Sequence, residues 1–469
     1  MTTAHRAALL ALFAAVVATG GIVDHVVSRG AAGAAPEAAP SQLAGAGAES
    51  TSWYCPSGTG AKGGAPATVL LTNATDRPVS GTLTAVPSAG PAKQVPITVP
   101  AGGEASVVPS QVVEAATVAA TVALDGGGVG VSESVAGPLG WADAPCASST
   151  AMSWTFAHAS TANATTTLTL FNPTSTTAVA DVTLVTSRSG TLQPSQYQEM
   201  SLAPGSVTAV NLGDHALDDP AVATKVTALS GAVVAGELQQ SSAPGADGLS
   251  LLLGSTPASR WAFPQTTQVP GGTVVFDVFD PGRRPATVTA SLELQQGTAE
   301  PFTVHVPAGG TATLTLSGQT RVPVGAAFGV RLAAAHGVKV VVSRQVTAPV
   351  SAPKPHLGET AGTAGAGSRR WLVPAVPPPG TGPSSLAVLD LAGKAVSVTV
   401  STVVAGHPTP VAGLLHRTLQ PGALLLAGPA VRPPATAMLV TASGPVAVEL
   451  DPLPASAPGV VVVPALPGG

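Results

Sequence analysis

The sequence predicts an all-β chain of four tandem immunoglobulin-like β-sandwich repeats, each of about 100 residues, behind an N-terminal transmembrane helix. Three observations carry this. Trp53, Trp154, Trp261 and Trp371 recur at intervals of 101, 107 and 110 residues. The stretches behind them alternate apolar and polar residues with the period of two that strands require. Turn-forming residues fall at matching distances behind each tryptophan.

The chain of 469 residues is too long for one core and suits several domains. Hydrophobic residues make up 45 % of it but aromatics only 3 %, so Ala, Val and Leu carry the apolar content, as sheets favour. With 20 Lys and Arg against 24 Asp and Glu, the net charge of −4 offers no basic footprint for nucleic acid.

Residues 1–27 read as a signal anchor or signal peptide. His5 and Arg6 precede 17 consecutive uncharged residues, Ala7 to Val23, longer than a usual signal-peptide apolar run and at the lower limit for crossing a bilayer. Residues 28–50, rich in Ala, Gly and Pro, read as a flexible stalk. The expected location is the cell membrane, single-pass with the repeats outside, or secretion if the segment is cleaved.

The repeats are expected at 51–146, 147–240, 241–350 with a leading linker, and 351–469 with a leading linker and a closing strand. Cys55 and Cys146 stand at the two ends of the first repeat. A pair of cysteines in an otherwise cysteine-free exported chain predicts a structural disulfide.

Within each repeat the alternation breaks at Asn73, Asn172, Asp280 and Asp390, which lie 20, 18, 19 and 19 residues behind their tryptophans. Asn and Asp bond back onto the following backbone, so these positions predict hairpin turns. Gly102, Gly205, Gly309 and Gly422, each next to a proline or a Pro-Ala pair, predict a second set of turns. Gly128, Gly231, Gly337 and Gly444 predict a third. The tryptophans then read as the structural core of each repeat, in competition with exposed platforms for stacking on sugars.

The segments before Trp261 and Trp371 read as linkers by composition. At the C-terminus, "GVVVVPALP" repeats the pattern "RWLVPAVP" with Val461 at the place of Trp371. This leftover strand raises an alternative to separate sandwiches: a closed, propeller-like or shared-strand array in which the tryptophan strand completes the preceding unit.

No common hydrolase, metalloprotease or phosphate-loop motif is present. Asp214, His215, Asp218 and Asp219 form the densest polar cluster, and Asp277 with Asp280 is a second carboxylate pair. Both read more simply as solvated loop or outward strand positions than as calcium sites. Glu133, Glu237 and Glu449, with Arg344 in the third repeat, occupy matching places and read as exposed strand positions. Asn73-Ala74-Thr75 and Asn163-Ala164-Thr165 match the N-glycosylation pattern.

The anchor, the opening "STSWYCPSGTGAKGGAPATVLLTNATDRPVSGTLTAVPS" and the later "TLTLFNPT" and "VPAGG" resemble a family of actinobacterial exported proteins of unknown function. The resemblance implies an envelope location and carries no catalytic residues. The expectation is therefore a non-enzymatic envelope scaffold or protein-interaction module without cofactor or metal. Its expected partners are the membrane and an envelope protein or cell-wall glycan. A cell-wall glycan or carbohydrate-binding module is the alternative.

Overall fold

The computed structural model describes residues 40–352, 354–374, 384–428, 437–452, 457 and 459–468. The chain divides into a unit Met1–Ala38 and a compact unit Ala39–Gly469. The expected anchor, and the stalk as far as residue 39, lie outside the described residues. Among the described residues no helix is long and apolar enough to cross a membrane.

Strand dominates, at 57 % against 3 % helix, in several sheets of which none closes into a barrel among the described residues. Each tryptophan lies in a strand: Thr51–Cys55, Ser153–Phe156, Arg260–Thr267 and Ser368–Val373. Each of these strands pairs antiparallel with a later strand of its own stretch. Trp53 faces Val122, Trp154 faces Val226, Trp261 faces Leu332 and Trp371 faces Val440. In the first stretch the sheet runs 51–55, 118–124, 79–87, 93–99, and a second runs 104–107, 67–73, 129–137, 140–145. The second and third stretches repeat both orders.

The side chains between the layers are the alternating apolar residues of both sheets. The four repeat tryptophans are 1 %, 0 %, 2 % and 3 % exposed, which makes them core residues and removes the stacking-platform reading of the rings. Three of them also anchor their strand to a distant backbone carbonyl. The indole N–H donates from Trp154 to Val233 at 2.7 Å, from Trp261 to Val340 at 2.8 Å and from Trp371 to Val446 at 3.0 Å. The Trp53 indole has no such partner, and its stretch carries the disulfide instead. Cys55 and Cys146 are bonded, with Cα atoms 4.6 Å apart. Closing a loop of this length contributes on the order of 4–5 kcal/mol in the chain-entropy view.

The turn chemistry follows the sequence closely. Asn73 is buried; its Oδ1 accepts from the N–H and hydroxyl of Thr75, and its amide donates to the carbonyls of Arg77, Val99 and Pro100. Asn172 repeats the pattern with Thr174, Thr176, Leu202 and Ala203. Asp280 accepts from the Gly282 N–H, and Asp390 from those of Ala392 and Gly422. One short side chain thus ties two turns together. A buried Asn73 presents no glycosylation site, whereas Asn163 is exposed. Gly102, Gly205, Gly309 and Gly422 all adopt the positive φ their turns require.

Gly444 departs from its counterparts. Gly128, Gly231 and Gly337 have positive φ and each separates two strands, but Gly444 lies inside the single strand Met438–Asp451. That strand serves both layers of the last stretch, whose sheets consequently merge into one of nine strands.

The linkers expected before Trp261 and Trp371 are strands. Ala246–Leu253 and Leu357–Ala361 each complete an inner sheet, and they meet in parallel at Gly248 and Leu357. The result is one eight-stranded sheet running from the second stretch into the third. A Cβ on Gly248 would stand 2.1 Å from the Leu357 carbonyl oxygen, so this approach needs glycine. Composition hides these strands because Ala, Gly and Ser serve both flexible chain and closely packed backbone.

Residues 40–50, expected as the end of the stalk, are likewise seated. Leu43 is 2 % exposed, and its N–H donates to the Pro467 carbonyl at 2.8 Å. Its apolar cluster joins Trp53, Val122 and Leu71 to Leu372, Leu439 and Leu466. The leftover C-terminal strand finds two partners: Val463–Pro464 pairs with Met438–Asp451, and Leu466–Pro467 pairs with the Trp371 strand. Replacing Leu466, fully buried in that cluster, with Ala is expected to lower stability by about 2–5 kcal/mol in urea denaturation.

Candidate functional site

The densest ionisable chemistry lies in the inner sheets, at one register position in the first three stretches and one residue off it in the fourth. Glu133 faces Val69, Glu237 faces Leu168, Arg344 faces Phe276 and Glu449 faces Ala387. These positions were expected on exposed faces, but the four residues are 0 %, 3 %, 0 % and 5 % exposed. Glu133, Glu237 and Arg344 stand opposite Val69, Leu168 and Phe276, core residues of their own stretches, and so turn into the end of their own sandwich. Glu449 instead shares the parity of Ala447, which packs with Ala262 of the third stretch. Neighbouring stretches close over these sandwich ends along a seam, as where Arg344 meets Glu449.

Glu133 lies beside the disulfide. Its Oε2 accepts the Ser57 N–H at 3.1 Å, its Oε1 has no partner, and burial pushes its pKa up to about 8. Asp143, on the adjacent strand Gly140–Pro145, is held well above the carboxylate range by burial and by the charge of Glu133. Burial thus favours the neutral form of both carboxyls, and Glu133 holds its proton at neutral pH. Cys55, Cys146 and Glu133 are the one trio of possible metal-binding side chains gathered among the described residues. The bonded sulfurs have no thiolate to offer a metal.

Between the second and third stretches the seam turns charged. His158 stands 3.6 Å from the Glu359 carboxylate and 2.6 Å from the Gln345 amide, with its Nε2 3.2 Å from the Pro220 carbonyl. Burial pulls its pKa down, but Asp277, Glu359 and Glu237 outweigh burial and raise it to about 9. Glu237 is held well above its usual value by burial and by Glu359, against the pull of His158. Asp277, expected to point outward, is 5 % exposed; it accepts from the Thr313 hydroxyl at 2.8 Å, and burial raises its pKa. The His158 ring thus lies among acids contributed by different strands.

Between the third and fourth stretches the link is Arg344. Its guanidinium donates to Glu449 at 2.5 Å and to the Gln265 carbonyl, and lies 5.5 Å over the Phe263 ring. Gln265 donates to Asp451, which also accepts the Gly459 N–H at 2.6 Å. An arginine this deep is tolerated because partners in both stretches compensate the desolvation.

The other polar clusters of the sequence do not converge. The His215 ring bonds to Gln196 and packs on Tyr197, and Asp218 pairs with Arg188 at 3.4 Å. Asp219 is buried. Burial alone would raise its pKa, but hydrogen bonds from Ser187, Ala221 and Arg188 lower it, so it organises its loop. Asp280 belongs to its turn. Trp141 carried no signal in the repeat spacing, yet it packs from the first stretch into the apolar cluster of the third and fourth. A tryptophan outside the fourfold spacing was the available clue.

The seam is arranged to hold protons and sheets. Its acid and base groups are buried, and their partners lie across strand boundaries. Raised pKa values give stability that falls with rising pH: Glu133 loses its contribution between about 4.5 and 8, and His158 between about 6.5 and 9. Melting temperature is expected to drop from pH 5 to pH 9. Glu133→Gln, which mimics the neutral carboxyl, should flatten the part below pH 8 by on the order of a few kcal/mol at its upper end.

The model of a family of unknown function, DUF5719, matches residues 131–412. Among curated proteins none matches the chain. Similar solved structures include Thermotoga maritima 1070, at 17 % identity and a TM-score of 0.22 over 24 % of this chain and 99 % of that one. The Anabaena sensory rhodopsin transducer is similar at 18 % identity and a TM-score of 0.17, over 19 % and 95 %. Likenesses at these scores carry no argument about activity.

Proposed function

The chain belongs to the DUF5719 family of unknown function, and from that starting point we propose that it is a non-catalytic extracytoplasmic scaffold held at the cell envelope by its N-terminal segment. In this reading, four immunoglobulin-like sandwich units are closed end to end, the last against the first, into one body. The array presents its rims and loops to partners in the envelope.

The observation that carries the reading is the use made of the ionisable groups. Glu133, Asp143, His158, Glu237, Asp277, Arg344 and Glu449 all lie buried, and the last five act on partners in a neighbouring stretch. Catalysis by general acid and base needs such groups in a cleft open to substrate. The disulfide favours an oxidising compartment. The apolar run Ala7 to Val23 supplies the tether.

Fractionation of cells making the native protein tests this. The protein is expected in the membrane fraction, with Cys55 and Cys146 unreactive to thiol reagents until reduced and unfolded. Removal of residues 1–27 should leave it out of that fraction. Recovery from the cytosol with two free thiols would overturn the proposal.

A further inference from the structure

We infer that the crevice between the second and third stretches is an anion-binding site for a phosphate-bearing ligand of diphosphate or sugar-phosphate size. The crevice has a volume of about 470 Å³, within the range of small-molecule sites. Its lining includes Lys225, Arg283, Arg284 and Lys339 against one acid, Asp280. An even spread of the chain's 20 Lys and Arg would put about half of one in a lining of that size, so the local excess is large in a chain of net charge −4.

The two walls come from separate parts of the chain. Lys225 and Thr155 are opposite each other in the tryptophan sheet of the second stretch. Trp154 and Phe156 turn into the core, so the intervening Thr155 and its partner Lys225 belong to the other face. Arg283 and Arg284 form the tip of the turn between strands Thr273–Phe279 and Ala286–Glu293. Pro281 and Pro285 flank that tip, and Asp280 closes it by accepting the Gly282 N–H at 2.8 Å. Such a turn fixes the backbone from which the two arginines project.

Five arginines elsewhere in the chain have side-chain partners. Arg188, Arg331 and Arg344 form ion pairs, Arg77 bonds to the Ala46 carbonyl, and Arg321 lies over Phe302. Arg283, Arg284 and Lys225 make no ion pair among the described residues. Thr155 Oγ1 is buried and has no hydrogen-bond partner. Adjacent guanidinium groups fit the oxygens of a phosphate in pairs, a lysine adds charge and a hydroxyl adds a neutral donor. This chemistry selects phosphate over a neutral sugar.

Titration calorimetry of the full chain with pyrophosphate at low salt tests the site. Saturable binding is expected, weakened at least about tenfold in Arg283→Ser/Arg284→Ser with an unchanged melting temperature, because both side chains are exposed on a turn. Lys93→Ser/Lys394→Ser removes the same charge away from the crevice and should leave the affinity within about twofold of the parent. Saturable binding of a sugar monophosphate, lost in the same arginine variant, would mark a single phosphate as sufficient. Absence of saturable pyrophosphate binding, or equal weakening in the lysine and arginine variants, would overturn the proposal.

Discussion

An edge strand exposes a row of N–H and C=O groups that must be covered, and that constraint organises the whole chain. Each tryptophan strand is at or near the edge of its sheet, and in every case the chain leaving the same stretch returns to cover it. Ala147 bridges Tyr54, Ser255 bridges Thr155, Ala364 pairs with Trp261 and Pro467 pairs with Trp371. The tryptophan strand is thus the head of its own stretch and is clamped by that stretch's tail. The shared-strand alternative, in which it completes the preceding unit, does not describe these pairings.

The clamp draws each exit segment across the boundary to the next stretch, and contact between neighbours follows. Apolar clusters consistently cross the boundaries. Val135 and Ala144 pack with Leu238 and Leu251, and Trp261 and Phe276 share a cluster with Trp371 and Val440. The last exit segment meets Leu43 and the first stretch. Burial of the seam is a consequence of this packing, and the seam's raised acid pKa values are a consequence of the burial.

Much of this was legible in the sequence, because the landmarks are local. A tryptophan at regular spacing, an Asx that folds onto the next two residues and a proline-glycine pair each act within a few residues. They set the strands, the turns and the core tryptophans. The disulfide was legible for the same reason, since its cysteines stand at the two ends of one repeat. What was hidden is non-local. Alternation reads Glu133, Glu237, Arg344 and Glu449 as polar strand positions, but not that the first three enter the end of their own sandwich and the fourth faces a neighbouring stretch. Segments 246–253 and 357–361 looked like linkers because their strand character comes from partners elsewhere in the chain. The basic crevice was invisible because Lys225, the Arg283-Arg284 pair and Lys339 lie far apart in sequence.

The central claim is that the two ends of the described chain are part of one cooperative structure, and hydrogen exchange at single amides tests it directly. The Leu43 N–H donates to Pro467 and the Gly468 N–H donates to Arg370 at 2.7 Å. Both amides are expected to exchange as slowly as those of the Trp53 strand, opening only with the core. Exchange at free-chain rates while the Trp53 strand stays protected would show that the ends are not held and would contradict the closed arrangement.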